Sequence, residues 1–265
     1  MLSDIITPIV IVSGLGLVFG LMLSFVSKKF EVKVDEKAKL IRDVLPGANC
    51  AACGFNGCDA FAEALAEGKA EVSGCPVGGK TVAIQISKIL GKEEKAEFGG
   101  KKIARVICGS DYENHKMKYN YIGIKDCYAA SSLYGGPSAC DYGCIGFGTC
   151  ISICPFNAIV MKKGLAKIVE YKCTGCELCV KACPKNIIKM VPIESKYTVA
   201  CNSTDKGNMV RKVCNVGCIG CARCVKVCKV GAITLEDSIA KIDPDICINC
   251  GECAKVCPTS SISQF

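Results

Sequence analysis

Two runs of cysteines near the C-terminus have the spacing of ligands for iron-sulfur clusters. In each run two residues separate the first three cysteines and three residues precede the last. In proteins that hold two four-iron clusters side by side, three thiolates of a run hold one cluster and the fourth binds the other. The runs predict one cluster held by Cys218, Cys221, Cys224 and Cys257, and another held by Cys228, Cys247, Cys250 and Cys253.

The cysteine pattern recurs after a shift of 74 residues, which indicates a duplicated module. Phe147 stands where the second copy has Cys221, so the first copy lacks one ligand, and Cys140 is the nearest replacement. The repeat predicts one cluster held by Cys140, Cys144, Cys150 and Cys183, and another held by Cys154, Cys173, Cys176 and Cys179. Cys108 and Cys127 remain alternatives to Cys140, because ligands can come from distant loops.

Four cysteines match no motif: Cys108, Cys127, Cys201 and Cys214. The 74-residue shift aligns Cys127 with Cys201. These thiols either hold a further cluster or are inert buried cysteines, which is where free cysteine is usually found. Five [4Fe-4S] clusters are expected, and a sixth is left open.

A different spacing occurs near the N-terminus, where two, four and sixteen residues separate the members of the set Cys50, Cys53, Cys58 and Cys75. Short amphipathic helices are predicted from Glu36 to Leu45 and from Ala60 to Glu67, and the second would return Cys75 to the Cys50–Cys58 loop. The set predicts a cluster in a small helical domain. A nucleotide-binding loop match at residues 74–81 is discounted, because such a loop needs a preceding buried strand.

Other uses of cysteine fit the chain poorly. It has 24 cysteines among 265 residues, whereas a secreted disulfide scaffold would be far shorter. Structural zinc sites take pairs of cysteines separated by a longer loop, not runs of four. Iron-sulfur binding is therefore the favoured interpretation throughout.

An uncharged apolar segment runs from Ile5 to Val26 and is long enough to cross a membrane. Lys28 and Lys29 follow it, so the positive-inside tendency predicts a single-pass cell-membrane anchor with the cluster-bearing domains on the cytoplasmic side. Gly16 and Gly20 would let a partner helix approach closely.

The formal net charge overstates how basic the protein would be with its clusters bound. The formal charge is +8, but cluster ligands are bound as thiolates, and five clusters contribute about −10. The basic balance therefore gives no ground for a nucleic-acid partner. The densest basic group contains Lys92, Lys95, Lys101, Lys102 and Arg105, for which a solvated face and a docking patch are equal explanations. His115 is expected to be exposed. Neither a flavin site nor a dinucleotide-binding fingerprint is found.

The predicted fold class is α+β. The expected divisions are a transmembrane anchor (residues 1–27), a small helical 4Fe-4S domain (28–99), and two tandem two-cluster bacterial-ferredoxin-like modules (100–192 and 193–265). Short strands such as Ala232 to Leu235 would alternate with short helices that carry the fourth cysteines.

The order of these parts resembles the B subunit of the Rnf complex, a membrane-bound ferredoxin:NAD+ oxidoreductase that couples electron flow to Na+ or H+ export. The N-terminal cysteine spacing carries most of the resemblance, together with the 143–148 and 173–176 segments. The resemblance implies a translocase subunit without a complete active site. It would take electrons from soluble ferredoxin and pass them to transmembrane, flavin- and NAD-binding subunits. The alternatives are a membrane-tethered relay that keeps a regulatory iron-sulfur protein reduced, and a structural zinc protein.

Overall fold

A long apolar helix, α1 (Leu2–Lys29), begins the computed structural model, which describes residues 2–29, 35–91 and 100–264. Its segment Val12–Lys29 has a mean hydropathy of 1.3, and none of it is buried against the rest of the chain. Large apolar side chains such as Leu17 and Phe19 are exposed. Among the described residues, this is the one helix long and apolar enough to cross a membrane, judged by length and composition.

Three helices form a small domain after α1. They are α2 (Glu36–Val44), α3 (Cys58–Ala66) and α4 (Gly79–Leu90), with a 3-10 turn at Val72–Gly74. Asp35 caps α2 by accepting a hydrogen bond from the backbone N–H of Lys37 at 2.9 Å. Ile41, Phe61, Leu65 and Ile86 pack into one fully buried core, which fixes the helices around the Cys50–Cys75 segment. The segment before α4 is a turn, not the strand that a nucleotide-binding loop requires.

Two pairs of antiparallel strands follow. Strand β1 (Lys102–Val106) pairs with β4 (Ile188–Pro192), and β2 (Ile159–Lys162) pairs with β3 (Leu165–Ile168). The short helices among them are α5 (Cys127–Ser131), α6 (Thr149–Ser152) and α7 (Leu178–Lys181), and a 3-10 turn covers Glu170–Lys172. Ile103, Ile187 and Ile188 are buried at the centre of this unit.

A second unit has the same plan. Strand β5 (Tyr197–Val199) pairs with β8 (Ile262–Gln264), and β6 (Ile233–Glu236) pairs with β7 (Ile239–Ile242). Its helices are α8 (Gly207–Val213), α9 (Arg223–Val227) and α10 (Glu252–Lys255). The expected mixture of helices and strands is therefore confirmed.

The hairpins of the two units match residue for residue after the 74-residue shift. Ile159 pairs with Ile168 in one, and Ile233 pairs with Ile242 in the other. The first strands do not follow this shift, because Val106 ends β1 and Val199 ends β5. Cys108 and Cys201 each lie two residues beyond their strand, so Cys108, rather than Cys127, is the structural counterpart of Cys201.

One member of the expected basic group is buried. Arg105 on β1 is 2% exposed, pairs with Glu170 at 2.8 Å, and donates hydrogen bonds to the carbonyl oxygen of Ser195 and the hydroxyl of Thr198. It therefore joins the first unit to the segment that begins the second. Lys101 and Lys102 are exposed, and Lys92 and Lys95 lie outside the described residues.

Candidate metal centres

The C-terminal unit places cysteines of both predicted sets against one core. Cys218, Cys221, Cys224 and Cys257, here called the Cys221 group, line one cavity together. In the set Cys228, Cys247, Cys250 and Cys253, called the Cys250 group, burial chiefly raises the pKa of Cys253, and the nearby charges of Cys247 and Cys250 raise it further. Cys228 packs against the same core as Cys253. Cys221 and Cys250 are exposed.

Two glycines let the ligand loops pass close to the neighbouring hairpins. A Cβ atom on Gly220 would lie 2.7 Å from the carbonyl oxygen of Ser238, and one on Gly146 would lie 2.5 Å from that of Gly164. Both glycines also have a positive φ, which side chains disfavour. These two contacts are related by the 74-residue shift, so both units hold their ligand loops in the same way.

In the first unit, a second cavity is lined by the predicted set Cys154, Cys173, Cys176 and Cys179, called the Cys176 group. Backbone N–H groups reach two of the sulfurs: Ala104 donates to Cys173 Sγ and Ala158 donates to Cys154 Sγ, each at 3.4 Å. Hydrogen bonds of this kind stabilise thiolates and tune the potential of a bound cluster.

Cys127, and not Cys140, lies with the remaining ligands of the first unit. A third cavity is lined by Cys127, Cys144, Cys150 and Cys183, called the Cys144 group. Asp126 caps α5, which begins at Cys127. It also accepts a hydrogen bond from the Thr149 hydroxyl at 2.8 Å, and this bond joins Cys127 to the helix that carries Cys150. The Thr149 oxygen in turn accepts a hydrogen bond from the Cys127 backbone N–H at 2.8 Å.

The Asp-Cys pair at residues 126–127 is the sequence signal for this placement, since aspartate before an apolar turn favours a helix cap. Phe147, which replaces a cysteine, packs against Tyr121 with ring centroids 5.3 Å apart. The structure thus brings Cys127, and not the expected Cys140, into the cavity of Cys144, Cys150 and Cys183, while the ligand set itself stays a prediction.

Cys140 lies instead with three of the cysteines that match no motif. A fourth cavity is lined by Cys108, Cys140, Cys201 and Cys214, called the seam group because its members come from both units. His115 borders this cavity and is half-buried, in contrast to the exposed position expected for it.

The N-terminal group consists of Cys50, Cys53, Cys58 and Cys75. Burial chiefly raises the pKa of Cys75, and the charges of Cys53 and Cys58 contribute, which indicates that the three thiols are close. Asn49 Oδ1 accepts a hydrogen bond from the Cys58 backbone N–H at 2.8 Å, and the Gly78 N–H donates to Cys75 Sγ at 3.3 Å.

The charge of Cys50 acts on one thiol of the first unit. Burial chiefly raises the pKa of the Cys176 thiol, and the charge of Cys50 raises it further. Cys50 and Cys176 are therefore near enough to interact electrostatically, although 125 residues lie between them in the sequence.

Burial makes several of these thiols poor anions by themselves. It raises the pKa values of Cys150 and Cys179 to about 12 and that of Cys224 to about 11. A bound cation is what would keep such thiols deprotonated at neutral pH. Cys257 is different: burial raises its pKa, but hydrogen bonds from Thr259 and Ser261 outweigh that effect and lower it.

In the part of the chain that the structure describes, the thiols do not form a site for a single metal ion. Tetrahedral zinc, with bonds of about 2.3 Å, would bring its ligand sulfurs to about 3.8 Å from one another. Across residues 2–29, 35–91 and 100–264, no three cysteine, histidine or acidic side chains are close enough to hold one metal ion. Sets of four thiols around a small cavity fit the larger iron-sulfur cubane.

Three protein-family models match the chain. The FeS model, for an Fe-S cluster, matches residues 45–77, and two 4Fe-4S dicluster domain models match residues 140–190 and 217–261. These ranges contain the N-terminal, Cys176, Cys221 and Cys250 groups and all of the Cys144 group except Cys127. Ferredoxin-like 4Fe-4S domains are thus present.

Curated relatives match over nearly the whole chain. A Clostridium ljungdahlii protein, named as the B subunit of a proton-translocating ferredoxin:NAD(+) oxidoreductase complex, is 46% identical, over 92% of this chain and 86% of the relative. The Na(+)-translocating counterpart from Acetobacterium woodii is 44% identical, over 92% and 73%. The B subunit of an ion-translocating oxidoreductase complex from Methanosarcina acetivorans is 40% identical, over 92% of both chains.

Proposed function

Because the chain belongs to the family of B subunits of ion-translocating ferredoxin:NAD+ oxidoreductase (Rnf) complexes, we propose that it accepts electrons from soluble reduced ferredoxin and relays them to membrane-embedded subunits. The complex would couple this transfer to export of Na+ or H+, the two ions that the relatives' names give. The observation that carries the proposal is the set of four-cysteine groups, three of which each line a cavity of their own within the two units.

Five of these groups are proposed to hold [4Fe-4S] clusters within the matched domains or at their border. They are the N-terminal, Cys144, Cys176, Cys221 and Cys250 groups, with Cys127 in the Cys144 group. Two tandem ferredoxin-like modules would provide the last four, with the divisions 100–192 and 193–265 expected from the sequence. Bound clusters supply one-electron redox chemistry, and the chain's own residues set their potentials.

The order of the groups supports a direction for the relay. Cys221 and Cys250 at one end are exposed, so a soluble donor can approach their groups closely. At the other end, the charge of Cys50 acts on Cys176, and Cys50 belongs to the domain that follows the apolar helix α1. Electrons would therefore enter at the second module and leave through the N-terminal group.

Membrane attachment through α1 is part of this proposal. The helix is of sufficient length and apolarity, and the lysines at its end favour a cytoplasmic position for the clusters. Gly16 and Gly20 leave open space on the helix, where added Cβ atoms would have nothing within 4 Å. A transmembrane helix from another component of the complex is the proposed occupant of that face.

Replacing one ligand of the N-terminal group tests the direction. In the assembled complex, Cys58→Ala should abolish ferredoxin-driven NAD+ reduction, while ferredoxin still reduces the clusters of the two modules. Ser73→Ala, an exposed position in the same domain, is the matched control and should keep full activity. Undiminished NAD+ reduction in Cys58→Ala would show that electrons leave by another route.

A further inference from the structure

Most of the seam group lies outside the ranges that the family models match. Three of its members, Cys108, Cys201 and Cys214, fall in none of the matched ranges, and Cys140 is the first residue of one. All four are free thiols, and all four line the same cavity.

Two of the thiols are positioned by equivalent strands. Just before Cys108, the Ile107 N–H donates to the Ile187 carbonyl at 2.6 Å; just before Cys201, the Ala200 N–H donates to the Ser261 carbonyl at 2.7 Å. Ile187 and Ser261 are themselves related by the 74-residue shift. Cys108 and Cys201 therefore leave the two units from corresponding places and meet between them.

An extended segment holds the other two thiols. His115 forms an antiparallel bridge with Cys214, and Met117 forms one with Ser138, two residues before Cys140. The Lys116 N–H donates to the Val213 carbonyl at 3.0 Å, and the Ala139 N–H donates to the Lys116 carbonyl at 2.7 Å. Residues 114–118 thus tie the Cys140 segment to the Cys214 segment.

Glycines keep the space beside the sulfurs clear. A Cβ atom on Gly143 would lie 3.6 Å from Cys140 Sγ and 3.9 Å from Cys108 Sγ. One on Gly217 would lie 3.6 Å from Cys214 Sγ and only 2.4 Å from the side chain of Val210. Gly143 and Gly217 are related by the 74-residue shift, and both border the cavity.

The seam cavity also borders other cysteine groups. Cys144 lines both the seam cavity and the cavity of its own group. On the other side, Gly217, which directly precedes Cys218 of the Cys221 group, lines the seam cavity. The seam cavity therefore borders one cysteine group of each unit.

We propose that Cys108, Cys140, Cys201 and Cys214 bind a sixth [4Fe-4S] cluster, which connects the clusters of the two modules. The inference deepens the proposed relay and rests on it. The four thiols release their protons when they bind iron. Passage of one electron from the Cys221 group to the seam group oxidises the first by one electron and reduces the second by one, with no proton or further reactant required.

Iron and sulfide analysis of the full chain, isolated without oxygen, tests this inference. Six clusters give about 24 iron and about 24 sulfide per chain, and five give about 20 of each. The double variant Cys108→Ala/Cys214→Ala should fall to about 20. Cys228→Ala/Cys247→Ala, which removes ligands from a group inside a matched domain, should also lose about four iron atoms and calibrates the measurement.

The outcomes separate this inference from the relay itself. About 24 iron in the native chain, and a loss of about four in the seam variant, supports the sixth cluster. About 20 iron atoms in the native chain would overturn the sixth cluster and leave the five-cluster relay intact. In that case the seam group would hold one zinc ion, or its four thiols would be alkylated after unfolding. A chain that folds without iron overturns both. The native count decides the matter even if the seam variant does not fold.

Discussion

The backbone N–H of Gly109 donates a hydrogen bond to the carbonyl oxygen of Ala200 at 2.8 Å. Gly109 follows Cys108 and Ala200 precedes Cys201, so this bond joins the two modules beside the thiols that they share. The two units are therefore joined directly at the seam group. Perturbing the junction should consequently affect both modules.

The placement of Cys127 predicts a specific pattern of iron loss. Cys127→Ala and Cys150→Ala should each disable the same cluster, so the double variant loses about four iron atoms in all. Cys140→Ala combined with Cys150→Ala should disable two clusters and lose about eight. Iron analysis of the anaerobically isolated variants measures this.

The reverse pattern of iron loss would show that Cys140, and not Cys127, binds the same cluster as Cys150. In that case Cys140 and Cys150 would be the non-additive pair, and Cys127 and Cys150 the additive one. The single and double variants form closed cycles, so each serves as a control for the others.

Arg105 should stabilise the junction of the modules. Arg105→Leu removes its ion pair with Glu170 and its bonds to Ser195 and Thr198. We expect a loss of about 2 kcal/mol, because the Ser195 carbonyl is left without this donor. The apparent melting temperature should fall by roughly 4–8 °C, followed anaerobically through the cluster absorbance.

Lys189 provides the matched control for Arg105. It stands opposite Arg105 in the β1–β4 pair but is exposed. Lys189→Leu should change the apparent melting temperature little, since exposed substitutions usually fall within about 0.5 kcal/mol. Equal effects of the two substitutions would contradict the role given to Arg105.

Hydroxyl groups around Cys257 should raise the potential of one cluster. The hydroxyls of Thr259 and Ser261 lie 3.8 and 3.7 Å from Cys257 Sγ, whereas Lys185 and Ile187 take their places beside Cys183 in the first module. Hydrogen bonds to sulfur favour the more negative, reduced cluster. Thr259→Val/Ser261→Ala should lower one potential by about 40 mV per bond lost, if each is worth about 1 kcal/mol.

An EPR-monitored redox titration measures that shift. Ser260→Ala is the control, because Ser260 is exposed and lies between the two hydroxyl residues. Unchanged potentials in the double variant would mean that these hydroxyls do not act on the cluster.

The sequence predicted those features that depend on local spacing. The Cys221 group lines one cavity because neighbouring thiols of one loop face the same side, while the two ligand sets stay predictions. Helix α2 and strand β6 lie within one residue of their expected bounds, since Pro46 ends one and a turn ends the other.

Two features were beyond the sequence pattern. Matching cysteines by a constant shift paired Cys127 with Cys201, but the strands show that Cys108 is the counterpart, because extra residues lie between β1 and Cys144. The seam group joins cysteines from both modules, and no local spacing records contacts between modules. The pairing of residues 114–118 with both cysteine segments brings Cys140 and Cys214 together.

Mixing the oxidised full chain with reduced ferredoxin, without oxygen, tests the central claim of a cluster relay most directly. We predict that absorbance at about 400 nm bleaches as the clusters are reduced, with about six electrons taken up per chain. A chain whose clusters are bleached by a chemical reductant but not by reduced ferredoxin would contradict the account.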